Sequence, residues 1–206
     1  MLQTLGFSLG TAFASGLNLY ATVAMLGLLE RFKIIHLPPP LEILAHPAVL
    51  SLALILLVIE FVADKIPYVD SIWHAVHTVI RPLAAALLVY GAYANVPEIW
   101  RVAAGLLGGS VALTSHGTKA SAHAAANASP EPFSNSILSV SEDALAVFLT
   151  WLAVRHPLIT IVVVAALIAL CIFAIVKLFG FLARIIRRIF GKRVEASTPI
   201  PAVHDR

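Results

Sequence analysis

Long apolar runs separated by short polar clusters dominate this chain, and their lengths predict helices rather than strands. Residues 157–176 form a run of twenty without a charge, enough to cross a hydrocarbon core as a helix. Residues 5–29, 47–63, 84–94 extended backward toward Pro67, 98–127 and 137–154 have a similar bias and complete a set of about six spans. The breaks carry the expected punctuation: Pro38-Pro39-Pro40, Pro67, Asn95-Val96-Pro97, Ser129-Pro130-Glu131-Pro132 and His156-Pro157. The span at 137–154 is short enough to be re-entrant, and a basic amphipathic continuation carries the last helix to about Phe190.

Polar residues inside these runs fall in register. Ser8, Thr11, Ser15, Asn18 and Thr22 share one side of the first span, with Gly6, Gly10 and Gly16 offering close approach. Asp70, His74, His77 and Arg81 share a second narrow helix face, while Glu60 lies near a span end, where it can reach the interface. His116, Lys119, His123 and Asn127 share a third, beside a small-residue face of Ser110, Thr114, Gly117 and Ser121 that would admit another helix. A basic and amide stripe is costly in lipid unless it faces protein or water.

Composition sharpens this into an all-α polytopic transmembrane bundle. The chain is 60% hydrophobic and 12% charged, well below the charge content of a soluble domain. The start of the chain lacks the basic region of a signal peptide, and the lone Cys171 excludes an intrachain disulfide. Residues 1–191 read as one bundle and 192–206 as a mobile tail. Arg184, Arg187, Arg188, Lys192 and Arg193 follow the last span; the positive-inside rule puts that end in the cytoplasm, against anionic lipid rather than nucleic acid. A faint echo relates Gly10, Thr11, Ser15 and Thr22 to Gly109, Ser110, Thr114 and Ser121, and His46-Pro47 to His156-Pro157. It allows a 3+3 inverted repeat.

The segments ADKIPYVDSIWHAVHTVIRP, TSHGTKASAHAAANASPEPFSN and SGLNLYATV carry a resemblance over about residues 5–180. They resemble the bacterial membrane family described as domain of unknown function 4126. The resemblance implies an integral membrane protein with no assigned activity; the bacterial inner membrane is the expected location.

The candidate chemistry follows from the stripes. Lys119 could neutralise an anionic solute or lipid phosphate, or instead pair with Glu131, Glu142 or Asp143, or snorkel to the interface. Asn18, Thr22, His116, Lys119, His123 and Asn127 are the expected substrate contacts. Asn127 and Asn135 are equally suited to capping helix ends, and Asp70, His74, His77 and Arg81 form the expected vestibule. Asp70, His74 and His77 also fit a metal site, against which Arg81 argues, since it can repel the ion or pair with Asp70. No nucleophile elbow, zincin or phosphate-loop motif is present, so no cofactor is expected and an enzyme is the weaker reading. The leading expectation is a carrier or channel for an anionic or zwitterionic solute or lipid headgroup, lined by the first and fourth spans. A metal-dependent hydrolase and a structural or assembly protein are the alternatives, and a homo-oligomer fits any of them.

Overall fold

A computed structural model describes residues 1–127 and 133–195, and the described residues are helical with no strand. The expected first span is two helices, α1 (Leu2–Leu17) and α2 (Leu19–Arg31), broken at Asn18, whose backbone is extended at φ −147° and ψ 104°. The apolar pattern runs through this break without a signal. What ends α1 is the Asn18 side chain, which accepts a hydrogen bond from the Ala21 amide at 2.8 Å and so caps α2. A 3₁₀ turn (Pro39–Ala45) then leads into α3 (Pro47–Ala63), which begins with proline in its first turn.

Helix α4 (Pro67–Ala92) passes through Pro82 without ending, joining the 70–81 face and the apolar 84–94 stretch in one element. Helix α5 (Glu98–Asn127) is continuous, as its alanine-rich sequence dictates. Helix α6 (Phe133–Arg155) is longer than expected, with full spanning length rather than that of a re-entrant segment. Helix α7 (Pro157–Glu195) takes in Lys192 to Glu195, the first residues of the expected tail, and residues 196–206 lie outside the described set. Its far end carries the basic cluster on helical backbone.

Helix α1 is the centre of the bundle, packed against α4, α5, α6 and α7. Its small residues permit this. A Cβ on Gly16 would overlap the Ser115 hydroxyl and the Ala112 carbonyl of α5, while the Ser115 hydroxyl donates to the Phe13 carbonyl at 2.9 Å. The close-packing face of α5 is Gly105, Gly108, Ala112 and Ser115 rather than the expected Ser110, Thr114, Gly117 and Ser121. Nothing lies within 4 Å of a Cβ placed on Gly117, and the other three hydroxyls bond back to their own helix.

Among the described residues, three helices are long and apolar enough to cross a membrane: Tyr68–Ala92, Asn135–Arg155 and Pro157–Gly180. The 3₁₀ turn and α3 would make a fourth as one element bent by 64°. The count falls below six because α1, α2 and α3 have only 16, 13 and 17 residues, and α5 carries the polar stripe. Nor does the element order display the inverted repeat, since α1–α2 is broken where its counterpart α5 is continuous. Burial is inverted relative to a water-soluble domain. Leu87 and Val162 are 69% and 70% exposed, whereas Arg81, Glu60, Asp64 and Asp70 are 0% exposed.

Candidate functional site

The break between α1 and α2 leaves the last carbonyls of α1 without helical partners. Arg81 of α4 fills that role, donating from one guanidinium nitrogen to the Gly16 and Leu17 carbonyls, each at 2.8 Å. Its other terminal nitrogen donates to Glu60 Oε1 of α3. A cation at a helix C-terminus is favoured by the helix dipole, and Arg81 takes this place entirely buried.

Glu60 is the hub. Its Oε1 also accepts from Lys119 Nζ at 3.0 Å, and the same ammonium reaches Asp64 Oδ2 at 3.2 Å and Glu142 Oε2 at 3.5 Å. Of the partners expected for Lys119, Glu142 is present, while Glu60 and Asp64 were not foreseen and snorkelling is excluded by 1% exposure. Glu131 lies outside the described residues. Glu60 does not reach an interface, and Arg81 pairs with it rather than with Asp70.

Asp70 turns instead to the end of α5. Its Oδ1 lies 3.1 Å from His74 Nε2 and 2.9 Å from His123 Nδ1, and its Oδ2 accepts from Asn127 Nδ2 at 2.7 Å. The opposite nitrogen of His123 meets Glu142 Oε2 at 2.9 Å. Asn135 donates to Asn127, so the two asparagines expected as caps bond each other across the α5–α6 connection. His116 packs deeper, its Nδ1 3.2 Å from Arg81 and its Nε2 within 3.2 Å of the His74 carbonyl and 3.1 Å of Thr78 Oγ1. Because Arg81 can only donate, His116 Nδ1 accepts and Nε2 carries the proton toward the carbonyl.

The stripe on α5 therefore faces inward as its spacing predicts, and it meets the α4 stripe directly instead of a separate vestibule. From His116 to Asn127 the polar column is about 16 Å long at 1.5 Å per residue. That is about half the thickness of a hydrocarbon core. His77 stands apart. It accepts from or donates to Tyr20 Oη at 2.8 Å, holds the Trp73 carbonyl at 2.7 Å and stacks on the Trp73 ring.

The α1 stripe is buried throughout, and two of its members bond locally, Thr11 to the Phe7 carbonyl and Thr22 to the Asn18 carbonyl. Asn18 reaches furthest, donating to Asp143 Oδ1 at 2.7 Å. Asp143 is the polar residue lining an otherwise apolar groove of about 750 Å³ between α2, α3 and α6, walled by Met25, Leu57, Phe61, Val147 and Trp151. Sequence reasoning left Glu60, Asp64, Glu142 and Asp143 out of the site. The available signal is the presence of acids in or at the end of two apolar helices, Glu60 and Asp64 at the end of α3 and Glu142 and Asp143 in α6.

Four buried carboxylates, Glu60, Asp64, Asp70 and Glu142, thus share the interior with two buried fixed cations, Arg81 and Lys119. With neutral imidazoles the cluster carries an excess of two negative charges, and of one when His123 is protonated between Asp70 and Glu142. Ligand atoms of Asp70, His74 and His123, and those of Asp64, His123 and Glu142, converge within 4.8 Å of one another. No characterised protein and no solved structure matches the chain. One family profile does, over residues 5–177, and on that match the chain belongs to the family described as Domain of unknown function (DUF4126).

Proposed function

We propose that this chain is a small integral membrane carrier that takes a cation into the polar column between α1, α3, α4, α5 and α6. The observation that carries the reading is the excess of buried carboxylates over buried fixed cations. An uncompensated negative cluster in a low-dielectric interior is strongly unfavourable, and a cationic solute offsets it. Lys119 pointed the sequence reading toward an anionic or zwitterionic solute or a lipid headgroup. Its ammonium is held by three carboxylates, which leaves it no charge to offer an anion.

The broken helix supports the same reading. Carriers commonly place a discontinuous helix beside the solute site near the bilayer midplane, and here Arg81 joins the Asn18 break to the His116 end of the column. On this reading α5 also crosses the bilayer, with its stripe against protein, in the inner membrane of a bacterium and with the α7 basic cluster at the cytoplasmic, anionic surface. A hydrolase would need a substrate beside the donor atoms, which are buried.

Proteoliposomes loaded with purified chain test it. Uptake of a divalent or small organic cation that is lost in Glu60→Gln supports the carrier. Folded protein that passes anions but no cation, or passes neither, overturns it.

A further inference from the structure

We infer that Asp70, His74 and His123 form a binding site for one divalent transition-metal ion of the zinc class. The inference rests on the reading that the polar column takes a cation, and it names which cation and which atoms hold it. The three residues come from the start of α4 and the end of α5, and they are 0%, 5% and 0% exposed.

The donor geometry is the first argument. Asp70 Oδ1 faces His74 Nε2 at 3.1 Å and His123 Nδ1 at 2.9 Å, at ion-pair distance but without the alignment of a hydrogen bond, and none of the three atoms has a further partner among the described residues. Buried polar atoms are rarely left so. Zinc–nitrogen and zinc–oxygen bonds of about 2.0–2.1 Å set neighbouring donors of a tetrahedral site about 3.3 Å apart. The observed separations are within a few tenths of an ångström of that spacing.

The surroundings are the second argument. A metal-bound histidine usually hands its other nitrogen to a carboxylate, which fixes the ring and raises its basicity. His123 has this arrangement, with Nδ1 toward Asp70 and Nε2 at 2.9 Å from Glu142 Oε2. Asp70 is oriented in the same manner by Asn127, which donates to its second oxygen. The fixed cations that would repel a metal are engaged elsewhere, Arg81 on Glu60 and Lys119 on Glu60, Asp64 and Glu142. The second convergent group, Asp64 with His123 and Glu142, has Lys119 on both of its carboxylates and is the poorer site.

Two imidazoles and one carboxylate select a borderline ion such as Zn²⁺ or Co²⁺ over Mg²⁺ or Ca²⁺, which prefer oxygen. Three protein ligands leave a coordination position open, as exchange or transfer of the ion requires.

The full chain, purified in detergent and stripped with chelator, is titrated with Zn²⁺ and with Co²⁺. One equivalent binds, Co²⁺ gives a visible absorption stronger than that of the aqueous ion, and a large excess of Mg²⁺ does not compete. Asp70→Asn, His74→Gln and His123→Gln each weaken binding at least tenfold, while His36→Gln, at an exposed position, leaves it unchanged. Folding of each variant is checked by size-exclusion profile; where a ligand variant fails to fold, the Co²⁺ spectrum of the unaltered chain decides. Absence of that spectrum and of a stoichiometric Zn²⁺ equivalent overturns the site. So does equal binding in all three folded ligand variants. Metal binding without metal flux in proteoliposomes would leave the site standing and remove the carrier, whereas organic-cation flux without metal binding would do the reverse.

Discussion

Lys119 Nζ and Glu60 Oε1 meet at 3.0 Å with both side chains fully buried, tying the end of α3 to the last turns of α5. Arg81 donates to the same oxygen, so one carboxylate oxygen holds two cations from two helices. Such a contact is retained at a cost in desolvation, and its removal exposes that cost. Lys119→Ala is expected to destabilise the folded chain by about 3–5 kcal/mol, the range for breaking one side of a buried ion pair. Thermal melts of the detergent-solubilised protein measure it. Adding Glu60→Gln should recover part of the loss, because the two residues share one network. Purely additive losses would show that the pair is not coupled.

The two glycines of α5's neighbourhood give opposite expectations. Gly16→Ala places a methyl group into the Ser115 hydroxyl and the Ala112 carbonyl, and overpacking of this kind costs about 1–3 kcal/mol. Gly117→Ala meets nothing within 4 Å and replaces glycine inside a helix, which stabilises by about 0.5–1 kcal/mol. Paired melting curves check both: stabilisation by Gly16→Ala contradicts the close packing of α1 on α5, and destabilisation by Gly117→Ala contradicts the open space at Gly117.

Asn18 has two tasks, capping α2 and donating to Asp143. Asn18→Ala is expected to cost about 1 kcal/mol for the cap. Leaving Asp143 without its donor costs about 1–3 kcal/mol more. Asn18→Asp keeps the cap but puts a like charge against Asp143. It should therefore lose as much stability at neutral pH or more, and recover part of that at low pH, where the carboxyl is protonated. A melt series across pH separates the two contributions.

Histidine substitutions discriminate between the metal site expected from spacing and the one the fold assembles. His77→Gln is expected to keep one Zn²⁺ equivalent, since its ring is occupied by Tyr20 and Trp73. His123→Gln should lose it. Zinc at a hundredfold excess over its Kd should raise the stability of the unaltered chain by about 2.7 kcal/mol. A stabilisation surviving His123→Gln and lost in His77→Gln would restore the i, i+4, i+7 triad.

Much of this molecule is local, and local features are readable from residue order. Run lengths and prolines place α3, α4, α5, α6 and α7 to within a few residues, since a helix closes its own hydrogen bonds. The 3.6-residue period alone puts His116, Lys119 and His123 on one face of α5, and all three are buried. The Asn18 break stayed hidden because one side chain, not a glycine or proline, competes with the helix there.

Which face meets which was decided by tertiary packing. Glu60 and Asp64 sit at the end of an apolar helix whose own sequence marks no partner, and only folding brings Arg81 and Lys119 to them across 21 and 59 or 55 positions. The metal-like grouping exchanged His77 for His123 for the same reason. Two residues one helical turn apart share a face, but donor atoms converge on an ion only where a second helix supplies the remaining direction. Spacing along one helix carries no information about that second helix; close approach, permitted here by the small residues of α1 and α5, supplies it.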